Sequence, residues 1–172
     1  KPTIKGLKEL GTDYKGFLYA GLMIVKNEPY LIEYNVRMGD PECQVIVPRL
    51  STDLFKIIEY SLKNKLRKIK LKWKKNKCMT IVLCAKGYPG NYKKGSILKI
   101  KKIKNNKNKF IIHAGTKETN GNIVSNGGRV LNIVSMGTNF GLIRKNIIQL
   151  IKKVNWKNGF YRKDIGWRVI KK

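Results

Sequence analysis

Glu33, Asn35 and Arg37 stand at alternate positions of a β-prone run from Tyr30 to Arg37. Side chains alternate between the two faces of a strand, so these three project to one side while Ile32, Tyr34 and Val36 project to the other. A carboxylate and an amide oxygen about 7 Å apart on one face are hard donors of the kind that hold Mg²⁺ or Mn²⁺. Such ions take one or two protein ligands and complete their shell from substrate phosphates and water. Arg37 adds a planar fork suited to a phosphate or carboxylate oxygen. The same pattern also describes an edge strand that shows solvent an ordinary mixture of polar groups. Charge placement favours a site: the chain has 10 acidic residues against 38 basic ones, yet Glu33, Asp40 and Glu42 fall within ten positions.

The elements that must position these groups are a hairpin and the loop after it. Gly16 to Val25 is apolar and rich in β-formers, and Lys26-Asn27-Glu28-Pro29 is turn chemistry leading into the second run. Gly39-Asp40-Pro41-Glu42 reads as a tight loop that opens a helix, with Asp40 as N-cap and Pro41 at the first helical position. That helix, Pro41 to Leu50, should be kinked or interrupted in its last turn by Pro48. Ahead of the hairpin, Lys1 to Tyr14 has Ile4, Leu7 and Leu10 at helical spacing and should end near Gly11. Behind it, Ser51 or Thr52 can cap a helix whose apolar stripe is Leu54, Ile57, Ile58, Ser61 and Leu62.

From Lys63 to Lys77 nine of fifteen residues are basic, with Leu66, Ile69, Leu71 and Trp73 interleaved. This reads as a solvated linker with a short amphipathic strand, in preference to a polyanion patch, and marks a boundary between domains 1–75 and 76–172. Cys78 to Ala85 is a continuous apolar run, hence a buried strand, and Lys86 to Tyr92 turns on Gly87, Pro89 and Gly90. Lys93 to Lys109 alternates Ile97, Leu98, Ile100 and Ile103 with lysines, as an exposed strand and loop would. Phe110 to His113, Asn122 to Ser125 and Arg129 to Met136 read as strands. Gly137 to Val154 is predicted to be a helix on the spacing of Phe140, Ile143, Ile147, Ile148 and Ile151, followed by a short tail. The fold class is α+β.

LYAGLMI (18–24) followed by IEYNVRMGDPE (32–42) closely resembles the last strands of the ATP-grasp domain in the phosphoribosylamine-glycine ligase (glycinamide ribonucleotide synthetase) family. The resemblance continues through GYPG (87–90), HAGT (113–116), NGGRVL (126–131) and YRKDIGW (161–167). It implies the C-terminal part of an ATP-grasp domain, antiparallel strands plus helices, followed by a small mixed α+β C-terminal domain, with the chain beginning inside the ATP-grasp domain. It also implies a reaction in which glycine is joined to 5-phosphoribosylamine through glycyl phosphate at the expense of ATP.

On that resemblance Glu33 and Asn35 match the family's metal positions and would bridge Mg²⁺ or Mn²⁺ to ATP phosphates. Arg37 would stabilise the transferring phosphoryl group. Asp40 is the candidate for contact with a substrate amine, and Glu42 either assists it or serves the first helical turn. Strand Leu18 to Leu22 carries no acidic residue, which leaves the number of metal ions open. Arg129, after the turn Asn126-Gly127-Gly128, is a candidate phosphate contact. Asp164-Ile165-Gly166 reads as a cap or turn. His113 reads as a hydrogen-bonded structural histidine, since no carboxylate or nucleophile is near it in sequence. No glycine-rich phosphate loop occurs in these 172 residues, so the expected partner is the N-terminal half of the same enzyme, fused or separate, and the chain alone is expected to be inactive.

Composition bounds the remaining classes. With 42% hydrophobic residues the chain is globular, and no apolar run approaches the roughly 20 residues of a membrane span. Cys43, Cys78 and Cys84 form no CxxC pair and fit reduced thiols in a cytoplasmic protein. A net charge of +28 raises nucleic-acid binding as the alternative function. Against it, 31 of the 38 basic residues are Lys and only 7 Arg, whereas phosphate and base recognition leans on the Arg fork. Lys, Ile and Asn are all abundant, so compositional drift on a solvated surface accounts for most of the charge.

Overall fold

A computed structural model describes residues 2–102 and 106–170. The chain divides into two compact units, one of Lys1–Cys43 with Leu50–Trp73 and the other of Gln44–Arg49 with Lys74–Lys172. Both mix helices with antiparallel strands, an α+β fold. No helix among the described residues is long and apolar enough to cross a membrane.

In the first unit, helix α1 (Pro2–Glu9) stops before Gly11, which takes φ +79°. Strands β1 (Tyr19–Val25) and β2 (Glu28–Asn35) form the antiparallel hairpin. Its turn is two residues long where the sequence suggests four: Lys26 and Asn27 both take positive φ, 49° and 68°. That is the left-handed pair whose twist matches the flanking strands, so Glu28 and Pro29 are free to pair with Val25 and Ile24. The register slips between Gly21 and Leu22, where Gly21 pairs with Glu33 but Leu22 with Leu31, leaving Ile32 as a bulged residue. Tyr34 and Thr3 share a 2.6 Å hydroxyl hydrogen bond that ties α1 to β2.

Helix α2 spans Cys43–Arg49, starting two residues later than expected and ending one residue after Pro48. Helix α3 (Leu54–Leu62) is capped by neither Ser51 nor Thr52. Asp53 accepts the Phe55 N–H at 2.8 Å, while Thr52 Oγ1 accepts the Lys72 N–H at 2.7 Å. Ile57, Ile58, Ser61 and Leu62 of the α3 stripe meet Leu66, Ile69 and Leu71 across a groove of about 410 Å³ that also takes in Phe17. Leu66, Ile69 and Leu71 of the lysine-rich stretch therefore line a groove within their own unit, with Leu66 and Leu71 left about half exposed.

The second unit holds every buried hydrophobic residue found among the described ones. Its four-stranded antiparallel sheet has the order β10 (Gly159–Phe160), β3 (Lys77–Ala85), β8 (Arg129–Gly137), β5 (Lys109–His113). On β3 every second residue from Met79 to Ala85 is buried. These pack with Leu131 and Ile133 and with Ile143, Ile147, Leu150 and Ile151 of helix α4 (Phe140–Ile151). Asn139 caps α4 by accepting the Leu142 N–H at 3.1 Å.

Three features depart from the sequence reading. Thr116–Thr119 is a strand, β6, paired with β7 (Asn122–Ser125) through Asn120-Gly121, both at positive φ. The tail is not plain coil, because β10 edges the main sheet and β9 (Val154–Asn155) pairs with β4 (Lys99–Ile100). Leu98, expected on an exposed strand, is only 4% exposed and belongs to the core. Ile103 lies outside the described residues.

Cys78 is half-buried, and burial pushes its thiol up to about 11 despite nearby Arg49. At pH 8 about one Cys78 in a thousand is then thiolate. Iodoacetamide labelling of Cys78, followed by peptide mass spectrometry, should keep accelerating up to about pH 11. A plateau near pH 9 would show an ordinary thiol.

Candidate functional site

The site lies within the first unit, where β1, β2 and the loop 36–42 meet. Tyr19 pairs with Asn35 and Gly21 with Glu33, so these four residues share one face of the hairpin. Asn35 Nδ2 donates to Glu33 Oε1 at 2.8 Å, which confirms that the two side chains project together. Gly21 keeps that face open. A Cβ on it would lie 3.0 Å from Glu33 Cγ, so any side chain there would push Glu33 aside.

The structure corrects two expectations. Strand β2 ends at Asn35, so Arg37 is a bend residue past the strand and does not continue the Glu33–Asn35 row. Its Nη1 donates to the Met38 carbonyl at 2.9 Å, which folds the guanidinium back on its own loop. Nor do Asp40 and Pro41 start the helix. They lie in a turn closed by the Cys43 N–H donating to the Gly39 carbonyl at 2.9 Å, and helical residues begin at Cys43. Asp40 is exposed there and Glu42 half-buried.

Tyr19 is the site residue that the sequence reading missed. Its phenol is held above its usual range, first by burial and then by Glu42, whose charge repels the phenolate and whose carboxylate favours the neutral, hydrogen-bond-donating hydroxyl. Glu33 adds to the rise, and Arg37 opposes it. One hydroxyl therefore senses three of the candidate residues. The signal that could have found it is cross-strand pairing, since register and not spacing along the chain places Tyr19 beside Asn35.

Arg129 belongs to the second unit, where it is half-buried at the start of β8 and pairs with Cys84 of β3. His113 is exposed at the end of β5, with Nδ1 3.1 Å from Thr116 Oγ1. Asp164 pairs its carboxylate with Arg162 at 2.6 Å and its carbonyl accepts the Trp167 N–H, a turn in which Gly166 has φ +85°. Arg144 secures that segment through the carbonyls of Ile165 and Lys163.

Among the described residues no group of three or more His, Cys, Asp or Glu is placed to hold a metal. The donor set of the hairpin is one carboxylate and one amide. In their mutual bond the Asn35 nitrogen engages Glu33 Oε1, which leaves Glu33 Oε2 and Asn35 Oδ1 as the oxygens outside it. Two hard oxygens on an exposed face fit a small divalent cation that draws most of its ligands from phosphate and water, and do not fit a closed protein cage.

Two family descriptions match the chain: "Phosphoribosylglycinamide synthetase, ATP-grasp (A) domain" over residues 1–43 and "Phosphoribosylglycinamide synthetase, C domain" over 78–168. The chain is 41% identical over 173 residues to the phosphoribosylamine-glycine ligase of Brucella melitensis, a match that covers 100% of this chain and 40% of that protein. It is 42% identical over 177 residues to the chloroplastic phosphoribosylamine-glycine ligase of Arabidopsis thaliana, covering 99% of this chain and 33% of the other. The crystal structure of phosphoribosylamine-glycine ligase from Thermotoga maritima superposes with a TM-score of 0.74 at 34% identity, over 94% of this chain and 40% of that one. The chain thus spans about two fifths of the length of the bacterial relatives it matches.

Proposed function

This chain belongs to the phosphoribosylglycinamide synthetase family, and on that premise we propose that it is the C-terminal portion of a cytoplasmic ligase that joins glycine to 5-phosphoribosylamine using ATP. Residues 1–75 supply the end of the ATP-grasp domain with its phosphate site, and 76–172 form the C-terminal domain. The preceding part of the polypeptide, fused or separate, is the partner that carries the rest of the nucleotide site.

In this reading the glycine carboxylate attacks the γ-phosphorus of ATP, the bond to the bridging oxygen breaks, and ADP leaves. The amine of phosphoribosylamine then attacks the acyl carbon of glycyl phosphate, and phosphate leaves. Both steps bring nucleophiles to crowded, negatively charged centres, so the protein's task is to neutralise charge and hold the partners in line. Glu33 and Asn35 hold Mg²⁺ or Mn²⁺, which when bound offsets the charge on the phosphates. Arg37 lends its positive charge to the transferring phosphoryl group from the loop after β2, Asp40 receives a substrate amine, and Glu42 supports it. Arg129, considered within its own unit, is a further candidate contact for a substrate phosphate.

The observation that carries this reading is the Glu33–Asn35 pair, a carboxylate and an amide held 2.8 Å apart on the face kept bare by Gly21. The test is reconstitution. The chain joined to the preceding portion found in its relatives should sustain ADP release over many turnovers only when glycine and phosphoribosylamine are both present, and the 172-residue chain alone should release none. Turnover by the chain alone, or ADP release that ignores glycine, would overturn the proposal.

A further inference from the structure

Strand β1 brings no carboxylate to the polar face of the hairpin; at the position opposite Asn35 it places a tyrosine. Gly39, in the loop beyond β2, is buried. A Cβ built on Gly39 would strike the Glu42 carboxylate and lie 2.8 Å from Tyr19 Cε2, so the ring and the carboxylate converge over the same bare α-carbon. We propose that Tyr19 is a positioning residue that holds the Glu42 carboxylate against the Asn35 side of the hairpin, giving the site an acidic group that β1 itself does not supply.

The inference rests on the ligase reading of the hairpin and goes beyond it by assigning a task to a residue outside the carboxylate and amide donor set. Glu42 sits in the turn that precedes α2, where a long side chain has many rotamers and no helix to restrict it. A hydroxyl donating to a carboxylate is a charge-assisted bond, shorter and stronger than one between neutral groups. The bare Gly39 lets the Tyr19 ring and the Glu42 carboxylate converge, the approach that such a bond requires. Tyr19 therefore acts on the reaction through Glu42, and its ring, wedged over Gly39, fixes the loop that also carries Arg37 and Asp40.

A double-mutant cycle on the complete ligase tests this. Tyr19→Phe, which removes only the hydroxyl, should lower kcat by about 5- to 20-fold, with KM for ATP and the melting temperature unchanged. Glu42→Gln should cause a loss of similar size. The two together should cost less than about twofold beyond Glu42→Gln alone, because the hydroxyl then has no carboxylate to orient. Equal losses from Tyr19→Phe in both backgrounds would mark a structural tyrosine and overturn the assignment. So would full activity in either single variant. If the wild-type enzyme turns over and the cycle is additive, only the role of Tyr19 falls; if the complete protein shows no glycine-dependent ADP release, the ligase reading falls with it.

Discussion

In the complete ligase, Glu33→Gln is expected to lower turnover by about two to three orders of magnitude while leaving the melting temperature where it was. Glutamine has the same shape, and its amide oxygen can still accept the Asn35 N–H that Glu33 Oε1 now accepts, so the geometry of the pair survives and only the charge is lost. Loss of charge weakens a hard-cation site directly, and the deficit falls on the step where negative charge builds on the transferring phosphoryl group. Glu33 is exposed, so no buried group is left unpaired and the fold has no reason to suffer. The measurements are ADP release across a Mg²⁺ or Mn²⁺ titration and a thermal melt. Normal turnover with normal metal dependence would remove Glu33 from the site.

Ile133→Ala should destabilise the second unit by about 3 to 4 kcal/mol. Ile133 is fully buried in the middle of β8, paired with Ile81 on one side and Ile111 on the other. Truncation leaves a cavity that two flanking strands cannot easily close. Ile32→Ala in the hairpin provides the contrast. Ile32 is 64% exposed at the bulge, and its loss should change stability by less than about 0.5 kcal/mol. Buried Trp156 reports on the second unit in a urea titration followed by fluorescence. Should Ile133→Ala fail to fold, Ile133→Val at about 1 kcal/mol gives the same ordering. Equal effects at positions 32 and 133 would contradict the placement of the core.

The elements legible in the sequence are those whose signal is local. The alternation on β2 put Glu33 and Asn35 on one face, and a continuous apolar run marked β3. The spacing of Ile143, Ile147 and Ile151 marked α4. What escaped depends on partners distant in the chain. Leu98 sits among lysines, and its burial comes from segments such as Ile123, whose carbonyl accepts its N–H. Two-residue strands such as β9 and β10 have no periodicity to read. Tyr19 looks like an ordinary β-former until the register sets it opposite Asn35. Arg37 follows the Glu33 alternation in sequence but lies two residues past the end of the strand, where the alternation no longer holds. The β6–β7 hairpin is different, because Asn120-Gly121 is a strong local hairpin signal.

Leu22, Met23, Ile24, Leu31 and Ile32 are all at least half exposed. A hairpin that leaves so much aliphatic surface in water is, in a cell, prey for chaperones and proteases before it is part of an enzyme. The face carrying Glu33 and Asn35 therefore persists only as long as something shields its greasy reverse and flanks. Mutations that loosen that cover would reduce protein abundance rather than intrinsic rate, and would mimic active-site lesions in any assay scored by growth alone.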